Sequence, residues 1–136
     1  MPGQNNNNTM WSDNYYYLNI YKDESLSHEV STNKLIDFIT TIPELEKNGA
    51  YKFKNTGSFP YTQLLLLKSK KLDSWNENDT NAKSTNLITI VCSKGAHIDF
   101  KEIERVFVKI ASFLQWTIVA EENDDGIENY IVWKPE

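Results

Sequence analysis

Between Asp99 and Gln115 the apolar residues Ile103, Val106, Phe107, Ile110 and Leu114 recur at helical spacing, with charged side chains filling half of the other positions. A helix with a single apolar stripe persists only when something covers the stripe. The chain supplies that cover on both sides. NLITIVC (86–92) precedes the helix and WTIVAEE (116–122) follows it, each short and rich in β-branched residues, which reads as a strand. Asp99 and Glu102 form a capping box with Asp in place of Ser or Thr, and Ile98 and Ile103 stand at staple positions, so the spacing predicts a helix over about 100–115. A further strand, IENYIVW (127–133), returns after NDDG, where Asp125-Gly126 suits a tight turn. The order is strand, capped helix, hairpin.

The same order occurs earlier. YYYLNIY (15–21) alternates, with Tyr15, Tyr17, Asn19 and Tyr21 on one side and Tyr16, Leu18 and Ile20 on the other. Leu35, Ile36, Ile39 and Ile42 then mark a helix over 32–42, with Ser31 as N-cap and Val30 stapling to Leu35. Pro43 and Asn48-Gly49 close it, and YKFKNTG and FPYTQLLLLKSK read as two strands around Gly57. Four consecutive leucines, Leu64 to Leu67, indicate a strand buried on both faces. The polar stretch 72–85, with Trp75 alone in its middle, joins the halves 14–71 and 86–134. The expectation is an α+β fold: two β-α-β-β halves forming a mostly antiparallel sheet of about six strands, with two helices on one face, in the ferredoxin-like neighbourhood. The other face is left without a helix, to be polar or to receive a partner or a second copy.

With 136 residues, 40% of them apolar, the chain suits one domain, expected over 14–136 behind a disordered, Asn-rich lead-in at 1–13. Its formal net charge of -5 and its single arginine, Arg105, argue against nucleic acid as a direct ligand. The lone cysteine, Cys92, leaves no internal disulfide and no Cys-based zinc site, and its apolar run marks it as a buried hydrophobe. No segment reads as a signal peptide or a membrane span, so a cytoplasmic protein with no membrane partner is expected.

The densest concentration of chemistry is acidic: Glu121, Glu122, Asp124, Asp125 and Glu128 lie within eight positions. Aligned on the EF-hand loop, Gly126 takes position 6, but Val132 falls where the bidentate Glu must be, which excludes an EF-hand. On an exposed hairpin tip these carboxylates read as a solvated turn or a contact for a cationic protein, and catalysis would need them held in a cleft. His28 and His97 both fall between the first strand and the helix of their half, which resembles the metal cup of the vicinal-oxygen-chelate enzymes. That family wants a late Glu in each half, which is missing here, so no metal and no cofactor is assigned. Cys92 sits mid-strand rather than at a helix N-terminus, and no Gly-rich phosphate loop or nucleophile elbow is present; Gly95 reads as a tight strand-to-helix turn. Lys52, Lys54, Lys68, Lys70 and Lys71 occupy 51–72 without an acid, so the two hairpins promise a positive and a negative end.

In size, acidity, Asn and Lys content and architecture over residues 15–134, the chain resembles the immunity proteins of bacterial polymorphic-toxin and contact-dependent inhibition systems. The resemblance implies a non-catalytic inhibitor, monomeric or homodimeric, that binds a cognate toxin domain, often a basic nuclease, and occludes its active site. Glu121, Glu122, Asp124, Asp125 and Glu128 would then stand in for substrate phosphates, with Trp75 as an aromatic anchor. The alternative is a ferredoxin-like regulatory domain that binds a small molecule and dimerises through its sheet; a third reading is a metal-cup enzyme.

Overall fold

The computed structural model describes residues 14–76, 79–80, 82–94 and 98–136. In chain order the elements are β1 (Tyr15–Tyr21), β2 (Val30–Ser31), α1 (Thr32–Ile39), β3 (Leu45–Gly49), β4 (Lys52–Asn55) and β5 (Thr62–Leu67), followed by β6 (Ser84–Thr85), β7 (Leu87–Ser93), α2 (Phe100–Leu114), β8 (Thr117–Glu122) and β9 (Glu128–Trp133). Seven strands form one sheet in the order β3-β4-β5-β7-β1-β8-β9, and β2 pairs with β6 in a separate two-stranded sheet. Every neighbouring pair is antiparallel.

The two sequence halves interleave at the centre. β1 pairs with β7 on one side and β8 on the other, while β7 pairs with β5. Each half therefore gives its first strand to the hairpin of the other. Among the described residues the chain is an α+β fold with two helices, and its sheet has seven strands where about six were expected. The extra one is β3, LEKNG, whose Asn48-Gly49 pair reads in the sequence as the close of the first helix. Glu46, Lys47 and Asn48 are all exposed, so this edge strand carries no apolar alternation to announce it. The β2–β6 pair escaped notice for a related reason: two residues are too few for any period.

Register explains where the core lies. Phe53, Leu64, Ile90, Leu18 and Ala120 are successive cross-strand partners, forming one apolar row across five strands. Leu66, Ile88, Ile20 and Ile118 form the next row. Both helices lie on these rows, because Leu35 and Ile39 of α1 and Ile103, Val106, Phe107, Ile110 and Ala111 of α2 join the same buried cluster. Phe107 meets Phe59 edge-on, ring centroids 6.2 Å apart. On the outer surface Phe38 of α1 stacks on Phe113 of α2, with centroids 4.0 Å apart.

The helix ends differ in detail from the sequence reading. Ser31 caps α1 as expected, its hydroxyl accepting from the Lys34 amide. The helix stops at Ile39, and Ile42 reaches the core from the turn beyond it. At α2, Asp99 occupies the N-cap position, yet its side chain makes no cap hydrogen bond, so the capping box is not formed; the first turn is closed by the Asp99 carbonyl accepting from the Glu102 amide. Gln115 ends the helix in the left-handed region at φ 60°.

Loops close one end of the opposite face. Tyr21, Leu67, Leu87 and Val119 form a second buried cluster with Leu26, from the loop after β1, and Leu72, from the loop after β5, packs against it. Leu26 adopts φ 56°, a conformation unfavourable for a branched side chain, and Asp23 holds the loop in place. The Asp23 carboxylate accepts from the Ser25 hydroxyl and from the Ser27 amide and hydroxyl. These donors hold its pKa well below the usual carboxylate range. Buried Asn86 ties both loops to the sheet: its amide nitrogen donates to the carbonyls of Leu26 and Ser69, and its oxygen accepts from the Ser69 amide. Beside it, the buried Thr32 and Thr85 hydroxyls bond at 2.7 Å, joining the start of α1 to β6. Among the described residues no helix is long and apolar enough to cross a membrane.

Candidate functional site

The acidic hairpin is a built turn. The Asn123 side-chain oxygen accepts from the amides of Asp125 and Ile127, at 3.0 and 2.8 Å. The Asn123 amide donates to the Ile127 carbonyl and the Gly126 amide to the Asn123 carbonyl, with Gly126 at φ 80°, a backbone state that costs glycine little. The Asn123 side chain is thus spent on closing the tip. Asp124 is drawn aside by Lys94, whose ammonium lies 2.6 Å from it and 5.0 Å from the centre of the Tyr16 ring. Glu122 and Glu128 are direct cross-strand partners. Glu122, Asp125 and Glu128 are exposed, and none has an ion pair among the described residues.

Beside the hairpin, where the loop plug ends, the uncovered face opens into a groove of about 1030 Å³. Asn19 and Tyr21 of β1 form its floor; Glu121, Glu128 and Asn129 line the hairpin side; Glu24, Lys70, Lys71 and Trp75 come from the loops. Asn19 donates to Glu121 over 3.4 Å. Asn129, the second residue of β9, takes φ 53°, a left-handed state that Asn tolerates better than most residues. The Tyr21 hydroxyl has its pKa raised, first by burial and then by the Glu24 carboxylate.

Of the six residues singled out in the sequence, the fold brings Glu121, Glu128 and Trp75 to this groove, and leaves Glu122, Asp124 and Asp125 on the hairpin outside it. The floor residues were missed. Their signal was present in β1, where Asn19 interrupts an aromatic strand on the side opposite Leu18 and Ile20.

The expected separation of a positive from a negative end is modified by the loop after β5. The β4 and β9 hairpins do lie toward opposite edges of the sheet. Lys54, however, pairs with Glu46 at 3.4 Å and Lys68 with Glu29 at 3.3 Å, and Lys70 and Lys71 cross the open face to share a groove with Glu121 and Glu128. His28 is exposed, 3.3 Å from Asp23 and 3.1 Å from the Ser27 hydroxyl. His97 and Gly95 lie outside the described residues. Among those described, no group of three or more His, Cys, Asp or Glu side chains is placed to hold a metal. Cys92 is buried on the helix side of β7, where the Thr62 hydroxyl donates to its sulfur and desolvation pushes the thiol pKa up to about 11. A thiol so protonated is a poor nucleophile.

No family model matches this chain, and neither a curated protein nor a solved structure matches it significantly.

Proposed function

We propose that the protein is a non-catalytic immunity protein that binds a cognate bacterial toxin domain, a basic one such as a nuclease, and covers its active site with the acidic surface of the β8–β9 hairpin. The observation that carries this reading is the stiffness of the acidic tip. Asn123 fixes the turn, so Glu122, Asp125 and Glu128 project from a set backbone rather than a mobile loop. Carboxylates held in advance lose less entropy on meeting a cationic surface, and they steer its approach. Asp124 belongs to this surface but is already matched by Lys94, so it contributes less than its neighbours. The central strands β5-β7-β1-β8, in which α2 links the parallel strands β7 and β8 across β1, support the ferredoxin-like reading of the layer, with β3 and β4 inserted between α1 and β5.

The test is association with the product of a toxin-like reading frame immediately upstream of this gene. Reversal of Glu122, Asp125 and Glu128 to Lys should slow association by about tenfold or more at low salt while leaving the melting temperature unchanged. Adding salt should narrow the difference. Association that is indifferent to the triple reversal would sink the electrostatic reading.

One observation favours the second reading, a ferredoxin-like regulatory domain: the groove is large enough for a small molecule. In that case a ligand would raise the melting temperature, the shift growing with the logarithm of its concentration over Kd. Sheet-to-sheet dimerisation would have to avoid the Leu26 and Leu72 loops, which already occupy one end of the free face.

A further inference from the structure

The groove contains an unexplained polar group. Tyr21 is only 5% exposed, yet its hydroxyl has no hydrogen-bond partner among the described residues and opens onto the groove. Asn19, 9% exposed, sits next to it on the same face of β1 and reaches only Glu121. A hydroxyl that faces a groove without a protein partner is met there by water or by a ligand. The surroundings identify which ligand fits. Glu121, Glu128 and Glu24 line the groove, none with an ion pair among the described residues, and Trp75 adds an aromatic face.

We infer that this groove receives one guanidinium side chain, an arginine carried by the partner protein. The inference rests on the toxin-binding reading above. A guanidinium has five N–H donors in a planar fork and no acceptor, and the groove offers carboxylates, a phenol oxygen and an amide oxygen as acceptors. Its plane stacks on an indole. Lys70 and Lys71 line the same groove and repel a second cation, which restricts the site to a single basic side chain rather than a polybasic stretch. At about 1030 Å³ the groove exceeds one side chain, so the arginine arrives on a loop that fills the remainder.

The test uses the full chain and Nα-acetyl-L-arginine methylamide, which presents arginine as it stands in a protein, with the citrulline analogue as a neutral control of the same shape. Amide and indole NMR shifts at Asn19, Glu121, Asn129 and Trp75 should move saturably with the arginine probe and bind it about tenfold more tightly than the control, the ratio for one charge-assisted hydrogen bond. Glu121→Gln should remove most of that preference. Tyr21→Phe, which deletes a hydroxyl with no partner among the described residues and so leaves the fold intact, should weaken the probe severalfold. Equal binding of the two probes, or no saturable shift, overturns the inference in favour of water in the groove. Free L-arginine binding far more tightly than the capped form also overturns it, assigning the groove to a small molecule. If the toxin binds wild type and the Tyr21→Phe, Glu121→Gln double variant equally, the groove inference fails and the hairpin reading stands. If the probe binds but no toxin does, the hairpin reading fails and the guanidinium site stands.

Discussion

On one face of the sheet, apolar rows run unbroken from Phe53 to Ala120 beneath two helices. On the other face the cover is two loops, held by Asn86 and Asp23, and it stops short of the hairpin end. Two physical strategies are at work on one sheet. The helix side gains stability from buried area, which has no direction and tolerates little change in volume. The loop side gains shape from a few hydrogen bonds, and it leaves polar side chains open to a ligand. The first holds the molecule together, and the second gives it a surface worth recognising.

Removing bulk from the helix side should have the largest effect. Phe107→Ala should cost about 3–5 kcal/mol and lower stability everywhere at once, seen as a shift in the denaturation midpoint with slope unchanged. Asn86→Ala should cost about 2–3 kcal/mol, because it strands the Ser69 amide and two carbonyls. Its signature should be local. Hydrogen exchange should quicken in 22–29 and 68–72 while α2 keeps its protection. Uniform loosening of both faces by Asn86→Ala would erase the distinction drawn here.

Smaller effects sharpen it. Asp23 has a lowered pKa in the folded protein, so its contribution is present above the unfolded value and lost as pH falls below about 4. Asp23→Asn should therefore flatten the acid limb of the stability curve, with the change confined to the loop after β1; an unaltered acid limb would show that Asp23 does not hold that loop. Cys92 tests the helix side in the other direction. With its thiol pushed up to about 11 and its side chain buried, alkylation at pH 8 should be negligible until the protein unfolds. Measurable modification of native protein would mean that the helix face opens more readily than its packing implies.

What the sequence made legible was whatever period and caps can encode. β1 and α2 appear within a residue of their expected limits, and Ser31 caps α1. The four leucines divide as alternation requires, Leu64 and Leu66 toward the helices and Leu67 into the loop-side cluster. β3 was invisible because its exposed charges fit a turn as well as an edge strand. The interleaving of β1 and β7 was invisible for a deeper reason, since strand order depends on contacts between residues far apart and leaves no local trace. The site was half legible for the same reason. Carboxylates in one hairpin can be counted, but only the fold shows that Glu121 meets Asn19, and that Trp75 arrives beside them from the connection between the halves.

The position of β1 also sets a timetable. Leu18 pairs with Ile90 on one side and Ala120 on the other, so β1 has both neighbours only once β7 and then β8 have been made. Until α2 and β8 have been made, an aromatic, strand-forming segment stays without its central place, and the loop closures needed to seat it are long. Such a chain should fold slowly for its size. A nascent-chain measurement would find β1 open to solvent until the final hairpin emerges, and only then would the groove on its exposed side come into being.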